Sequence, residues 1–202
     1  MTDAGLYHEG NHTLQEQFDS RRIADRLEEV TVHQRFLPGE REMIEGAYMF
    51  FLATADAGGW PDVSYKGGLP GFVRVVSDDT LAFPNYDGNG MFKSLGNLLV
   101  NPKVGLLFID FEDPGRMRVQ GTASLSADDP LMADFPGAQL IVRVKAERIF
   151  PNCPRYVHRM HLVEESIYAP SGRHTPPVPD WKRMPVFNDA LPQRGPAACD
   201  TD

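Results

Sequence analysis

The sequence predicts a mainly β domain, an antiparallel barrel with flanking helices. Three observations lead there. Short segments rich in β-branched and aromatic residues recur, separated by Gly, Asp, Asn and Pro clusters. Two longer stretches alternate apolar and polar residues with a period of two. Most connections are too short for parallel crossovers, and only one helical stretch interrupts the strands. Six or seven closely spaced strands favour a barrel over an open sheet.

Taken in order, residues 1–12 read as frayed, and a helix is expected from Thr13, where Thr13 and Glu16 have capping-box spacing. Ile23, Leu27 and Val30 make an apolar stripe at helical spacing, outside the core pattern and suited to a partner. Pro38-Gly-Glu-Arg-Glu-Met-Ile-Glu45 predicts a short helix, with proline in its first turn and early acids at the positive end of the dipole. Strands follow at 49–54, 62–66, 71–76 and 81–83, with turns at Asp56-Ala-Gly-Gly59 and Ser77-Asp-Asp79. The loop 85–89 leads to a helix carrying Phe92, Leu95, Leu98 and Leu99 on one face and ending at Asn101-Pro102. Strands resume at 104–110 and 116–122, where Arg116, Arg118 and Gln120 face one way and Met117, Val119 and Gly121 the other. Along 140–149, Leu140, Val142, Val144 and Ala146 oppose Arg143, Lys145 and Glu147. The expected organisation is an N-terminal extension (1–37), a barrel domain (38–168) and a Pro-rich tail (169–202) that wraps the domain or lacks order.

The chain has 202 residues, 42% of them hydrophobic, and a formal net charge of −8. Such a balance argues against nonspecific nucleic-acid binding and against a polybasic membrane patch. The longest apolar run, 47–55, is far short of a membrane span and reads as a buried strand. The N-terminus carries no apolar signal core, so a cytoplasmic location is expected. Cys153 and Cys199 lie far apart and read as free thiols, and no CxxC pair points to a zinc ribbon.

The segment with most chemistry in it is Phe83-Pro-Asn-Tyr-Asp-Gly-Asn-Gly-Met-Phe-Lys-Ser94. A strand ends, a glycine-rich loop follows, and a helix begins with Lys93 and Ser94. A helix start offers free backbone N–H groups and a positive dipole end, which makes a phosphate cradle. An ordinary capped helix with an exposed lysine reads the same residues as well. Phe92 stands where a Walker loop needs glycine, and no strand–GxGxxG–helix unit is present. In Ser64-Tyr-Lys-Gly-Gly-Leu-Pro-Gly-Phe-Val-Arg74, Gly67 and Gly68 permit close approach by a flat ligand, with Lys66 and Arg74 adding charge. A tight hairpin with two solvated cations is the other reading. Arg116 and Arg118 form a basic face fit for a carboxylate or phosphate, or for surface ion pairs. His158 and His161 have metal-helix spacing without a third ligand and read as structural, and Cys153, with His158 close in sequence as the base a nucleophile would need, reads as an inert small residue. His8, His12 and His33 fall in a stretch expected to be poorly ordered, and His174 in the tail.

These residues carry a family resemblance. Pro61-Asp-Val-Ser-Tyr-Lys-Gly-Gly68, Pro70-Gly-Phe-Val-Arg-Val75, Asp79-Thr-Leu-Ala-Phe-Pro-Asn85, Gly88-Asn89, Ser94-Leu-Gly-Asn-Leu-Leu99 and Asn101-Pro-Lys-Val-Gly-Leu-Leu-Phe108 follow in the order found in pyridoxamine-phosphate-oxidase-like FMN-binding split-barrel proteins. Stretches 116–123 and 150–156 extend the resemblance over residues 38–160. It implies a split β-barrel with FMN in a cleft between two identical subunits, and hydride or electron transfer to an unidentified small molecule. A non-catalytic flavin-binding or storage module, or the same fold using deazaflavin or haem, are the alternatives. The resemblance places the flavin strand at Gly68, Phe72, Val73 and Arg74, and the phosphate pair at Lys93 and Ser94. Phe83, Pro84, Asn85 and Asn89 fall beside the ring system, Arg116 reaches towards it, and Lys66 and Gly67 add charge and approach. No catalytic residue is assigned. The loop 86–90 is longer than in true pyridoxamine phosphate oxidases, and the tail segment Pro179-Asp-Trp-Lys-Arg-Met-Pro185 lacks their Arg-x-His substrate element. Vitamin B6 oxidation is therefore doubtful, while Trp181 reads either as a flavin cap or as a surface aromatic.

Overall fold

The computed structural model describes residues 5–172, 174–187 and 189–192. Strands β1 (Met49–Ala55), β2 (Pro61–Gly67), β3 (Arg74–Val75), β4 (Thr80–Tyr86), β5 (Lys103–Asp110), β6 (Gly115–Ser126) and β7 (Ala138–Asn152) form one sheet. Its order is β2-β1-β5-β6-β7-β4-β3, and every described pairing between strands is antiparallel. The sheet curls on itself. Phe50 of β1 meets Phe83 of β4 edge-on with ring centroids 4.9 Å apart, although three strands separate β1 from β4 in the sheet. Phe108 and Phe72 complete the aromatic centre at 5.2 and 5.9 Å from Phe50. Among the described pairings β2 and β3 do not join, so the barrel is split between them.

Alternation decides which residues fill the core. On β6, Met117 and Val119 are buried, and Arg116, Arg118 and Gln120 face outward, as the sequence pattern requires. On β7, Val142, Val144 and Ala146 enter the main core, whereas Ile141 is buried on the other face against Ala82 and Phe135. One residue is inserted into β7 where the pairing steps from Gln120–Arg148 to Gly121–Ala146. Gly121 is required there, because a Cβ would lie 2.2 Å from the Lys145 carbonyl oxygen. The extra residue, Glu147, accepts from Lys103 Nζ at 2.6 Å and Thr122 Oγ1 at 2.5 Å.

The N-terminal third departs from its expected reading. Helix α1 (Glu9–Gln17) starts four residues before Thr13, and its cap is His8, whose Nδ1 accepts the Gly10 N–H while Asn11 accepts the His8 N–H. Thr13 instead donates to the Glu9 carbonyl inside the helix. A break at Asp19, with φ of 50°, separates α1 from α2 (Arg21–Thr31). The Ile23, Leu27 and Val30 stripe lies on α2 and is exposed in the single chain. His33, expected in a poorly ordered stretch, bridges β7 through two backbone bonds with Ile149 and pairs with Glu40 of α3 (Pro38–Gly46) at 2.9 Å.

Three sheet details also differ. The strand expected at 71–76 shrinks to Arg74–Val75, because the chain turns at Gly71, with φ of 88°. Asn85 and Tyr86, expected in a loop, extend β4 by pairing with Leu140 and Ala138 across a register shift. On α4 (Lys93–Val100) only Leu95 and Leu98 of the expected face are buried. Phe92 is the N-cap residue, and Leu99 points to solvent.

Candidate functional site

A cleft of about 590 Å³ opens between the β2 edge, the end of β4, the loop 87–91 and the start of α4. Local sequence positions each wall. Asp62, Ser64 and Lys66 of β2 pair with Thr54, Leu52 and Phe50, whose side chains are buried, so all three face inward past the barrel edge. α4 is held against β1 by a buried bond from Asn97 Nδ2 to Thr54 Oγ1 at 2.9 Å. Its apolar residues Leu95 and Leu98 dock on the core. Asn85 Nδ2 donates to Gln139 Oε1 at 3.0 Å and closes the floor between β4 and β7.

The helix start is open. Phe92 caps it in the left-handed region, with φ of 47°, and among the described residues no side chain bonds the first free N–H groups. These donors and the positive dipole end therefore face the cleft unsatisfied by the helix itself. A non-glycine residue in this conformation costs about 1 kcal/mol, a strain often found at binding loops.

The charges divide into closed and open ones. Lys66 and Lys93 have no carboxylate within 4.0 Å among the described residues. Burial lowers the Lys66 pKa below its ordinary value, and the nearby Asp62 carboxylate opposes that fall. Lys182, from a short 3-10 helix (Asp180–Arg183), reaches the cleft and bonds Asp87. The lining thus sets three lysines against two aspartates, a local excess of positive charge in an acidic chain. Ser94 is buried and donates its hydroxyl to Asp62 Oδ2 at 2.9 Å, so its proton is committed to the protein. Tyr86 also lines the cleft. Burial pushes its phenol up to about 12, against the pull of Arg74, so it remains a hydrogen-bond donor at neutral pH.

Of the residues expected in the site, Lys66, Asn85, Asn89, Lys93 and Ser94 line this cleft. Gly67 and Gly68 stand at the end of β2, where the chain's own rings crowd them. A Cβ would meet the Tyr65 ring at 2.6 Å and the Phe72 side chain at 2.5 Å. Packing against Phe72 Cβ and Cγ is reason enough for glycine at 68, whereas at 67 the clash is with the outer end of the exposed Tyr65 ring, which can move aside. Phe72, Val73, Phe83 and Pro84 are buried and lie outside the lining. Arg74 donates to Asp134 Oδ2 at 2.6 Å and stacks over Phe135 at 4.6 Å. Arg116 stands on the outer face of the sheet, opposite to Lys66. Trp181 lines the cleft beside Lys182. Asp62, Tyr86, Gln139 and Lys182 are additions that sequence reasoning missed. Only the Trp-Lys-Arg run after Asp180 hinted at the last of them.

Cys153 is exposed, and Cys199 lies outside the described residues. Among the described residues no helix is long and apolar enough to cross a membrane.

Comparison with known proteins places this geometry in context. No curated protein matches the chain. Among solved structures, HupZ of Group A Streptococcus is 19% identical, with 62% of this chain and 100% of that chain covered at a TM-score of 0.47. HutZ, the haem storage protein from Vibrio cholerae, is 23% identical over 57% and 94%, with a TM-score of 0.43. An FMN-binding protein from Syntrophomonas wolfei is 16% identical over 70% and 96%, with a TM-score of 0.40. The family model for pyridoxamine 5'-phosphate oxidase matches residues 38–161, from the first turn of α3 to just beyond β7 and so through every strand of the barrel. By that match, over more than half its length, the chain belongs to the pyridoxamine 5'-phosphate oxidase family of split-barrel proteins.

Proposed function

We propose that the cleft binds FMN and that the chain works as a small flavin-dependent redox protein. One observation carries the reading: an uncapped helix start, flanked by Lys93 and faced by Lys66, opens on a cleft of about 590 Å³. Free N–H groups, a dipole end and lysines without carboxylate partners match a monophosphate ester. The volume lies within the usual range for sites that bury a small ligand. Lys93 and the first-turn amides would hold the phosphate, with Lys66 adding charge from β2. Ser94 orients Asp62 rather than donating to the ligand. Trp181 and Phe92 offer the apolar surface that a flat ring system needs. When bound, FMN supplies hydride or electron transfer, and the protein contributes position and field.

A second reading, flavin holding without turnover, is favoured by one observation. Among the described residues the lining includes no histidine or cysteine, and burial pushes the Tyr86 phenol up to about 12, which leaves Lys66, lowered by burial, as the lining group that moves towards neutral pH. The same lack of histidine favours flavin over haem. A homodimer belongs to the main reading. The outer sheet face exposes Val63 and Tyr65, and α2 exposes its apolar stripe. Only across such an interface can Arg116 meet a cleft-bound flavin.

The absorption spectrum of the purified chain tests the assignment. A flavin spectrum with about one FMN per chain, bleached by NADH or NADPH, supports the redox protein. Bound flavin that neither nicotinamide reduces supports the holder, and a protein that takes up no FMN refutes both. Sedimentation at micromolar concentration is expected to give a dimer.

A further inference from the structure

We propose that the tail segment 175–187 is a hinged strap over the cleft, latched by the Lys182–Asp87 ion pair, and that ligand exchange waits on its opening. The inference rests on the cleft holding FMN, which serves as the probe below. The segment lies beyond residues 38–161, which the family model matches, so it is an addition to the shared barrel. Its sequence suits a stiff arm. Pro176, Pro177 and Pro179 fix the backbone ahead of the 3-10 helix Asp180–Arg183, and Pro185 opens a second one, Pro185–Phe187. The two short helices brace each other. The Trp181 and Phe187 rings meet edge-on with centroids 5.7 Å apart, and Lys182 Nζ lies 5.6 Å from the Trp181 ring centre. Upstream, His174 Nε2 donates to the Ile167 carbonyl at 2.7 Å, which leaves the arm to pivot just after it.

What the arm buries shows where it docks. Val178, Met184 and Val186 are exposed, whereas Trp181 and Lys182 are half-buried and line the cleft. Among the described residues, the contact of Lys182 with Asp87 is the one hydrogen bond or ion pair that joins 175–187 to the barrel. Asp87 belongs to the loop that leads into α4 and its free N–H groups. An aspartate in a cleft built for an anion works against the ligand, and holding the arm gives it a reason to be there. The Lys182 side chain keeps 18% exposure and that of Asp87 40%. A pair this open to water biases closure about fivefold, enough to keep the strap shut most of the time and too little to lock it.

The neutral double change Asp87→Asn/Lys182→Gln removes the latch without altering the net charge of the cleft, so the pull on a phosphate stays as it is. FMN uptake and release by the full chain, followed by flavin emission in stopped flow, should both quicken about fivefold, with the dissociation constant changed less than about twofold. The swapped pair Asp87→Lys/Lys182→Asp should restore the parent rates. A second readout needs no flavin. With Trp60→Phe, a change at an exposed turn residue, Trp181 is the sole tryptophan. Acrylamide should then quench its emission about threefold more steeply once the latch is removed. Release that quickens while uptake stays constant makes the segment an ordinary ligand contact and overturns the strap, as do rates and quenching that match the parent. A parent chain that takes up no FMN refutes the flavin reading, and the quenching then decides the strap alone, with unchanged quenching overturning it.

Discussion

Two parts of the barrel handle charge in opposite ways. Beside the 3-10 helix Pro130–Asp134, each cation is closed by the protein. Arg143 makes a two-pronged contact with buried Asp129 at 2.6 and 2.9 Å, and Arg74 closes on Asp134. At the α4 corner, Lys66 and Lys93 face a cleft without a carboxylate in contact. Closed charges contribute to stability and are unavailable to a ligand. Open ones contribute little to the fold and are available to whatever enters. Loss of a cation should therefore be felt as lost binding at one corner, and loss of an ion pair as lost stability at the other.

The largest expected effect is at the open corner. The double change Lys66→Gln/Lys93→Gln should weaken FMN binding about 100-fold, equivalent to about 2.7 kcal/mol, with the thermal midpoint nearly unchanged. A large fall in midpoint with affinity intact would erase the contrast. At the closed corner, Asp129→Asn should cost about 2 kcal/mol of stability in denaturant titration and leave FMN affinity unaltered. Arg143 holds the Asp129 carboxyl below the ordinary aspartate value of 3.8. The folded state thus favours the ionised form. Its contribution is present above the unfolded value and disappears as pH falls through the folded one. Acid unfolding below about pH 4 should accordingly be shallower in Asp129→Asn than in the parent.

Two smaller effects sharpen the picture. Thr54→Val leaves the buried Asn97 amide without its acceptor and should cost about 1.5 kcal/mol. Because that bond seats α4 on β1, FMN affinity should fall alongside stability, which makes Thr54 the point where the two regions are coupled. Asp62→Asn keeps an acceptor for Ser94 but removes a negative charge from the phosphate corner. Titration should show about threefold tighter FMN binding.

Much of the barrel was legible because it depends on local rules. Alternation placed Met117 and Val119 inside and Arg116 and Arg118 outside. Pro38 marked the start of α3, and Asn101-Pro102 the end of α4. The strand-to-helix corner at Lys93 was legible from helix-end chemistry. What escaped depends on contacts between distant residues. His8 is a poor cap by type, so the sequence pattern alone points to a later start for α1, at Thr13. The extension of β4 through Tyr86 rests on pairing with β7, and the Ser94–Asp62 bond spans 32 residues. Lys182 enters the cleft from the tail by bonding Asp87, 95 residues away. Such partners leave no periodic trace in the chain. On β2 alternation points the wrong way: the apolar Val63 and Tyr65 are exposed, and it is Asp62, Ser64 and Lys66 that pair with buried residues of β1, so that Lys66 and Arg116 lie on opposite faces became visible only from the strand pairing.

The proposed flavin site depends most on a grip at α4 that recognises phosphate rather than a flavin ring alone. Calorimetric titration of the apo chain with FMN and with riboflavin, which differ by that phosphate, tests it directly. One FMN per chain, bound at least about 100-fold more tightly than riboflavin, is the expected result. Equal affinity for the two, or no heat with either, would contradict it.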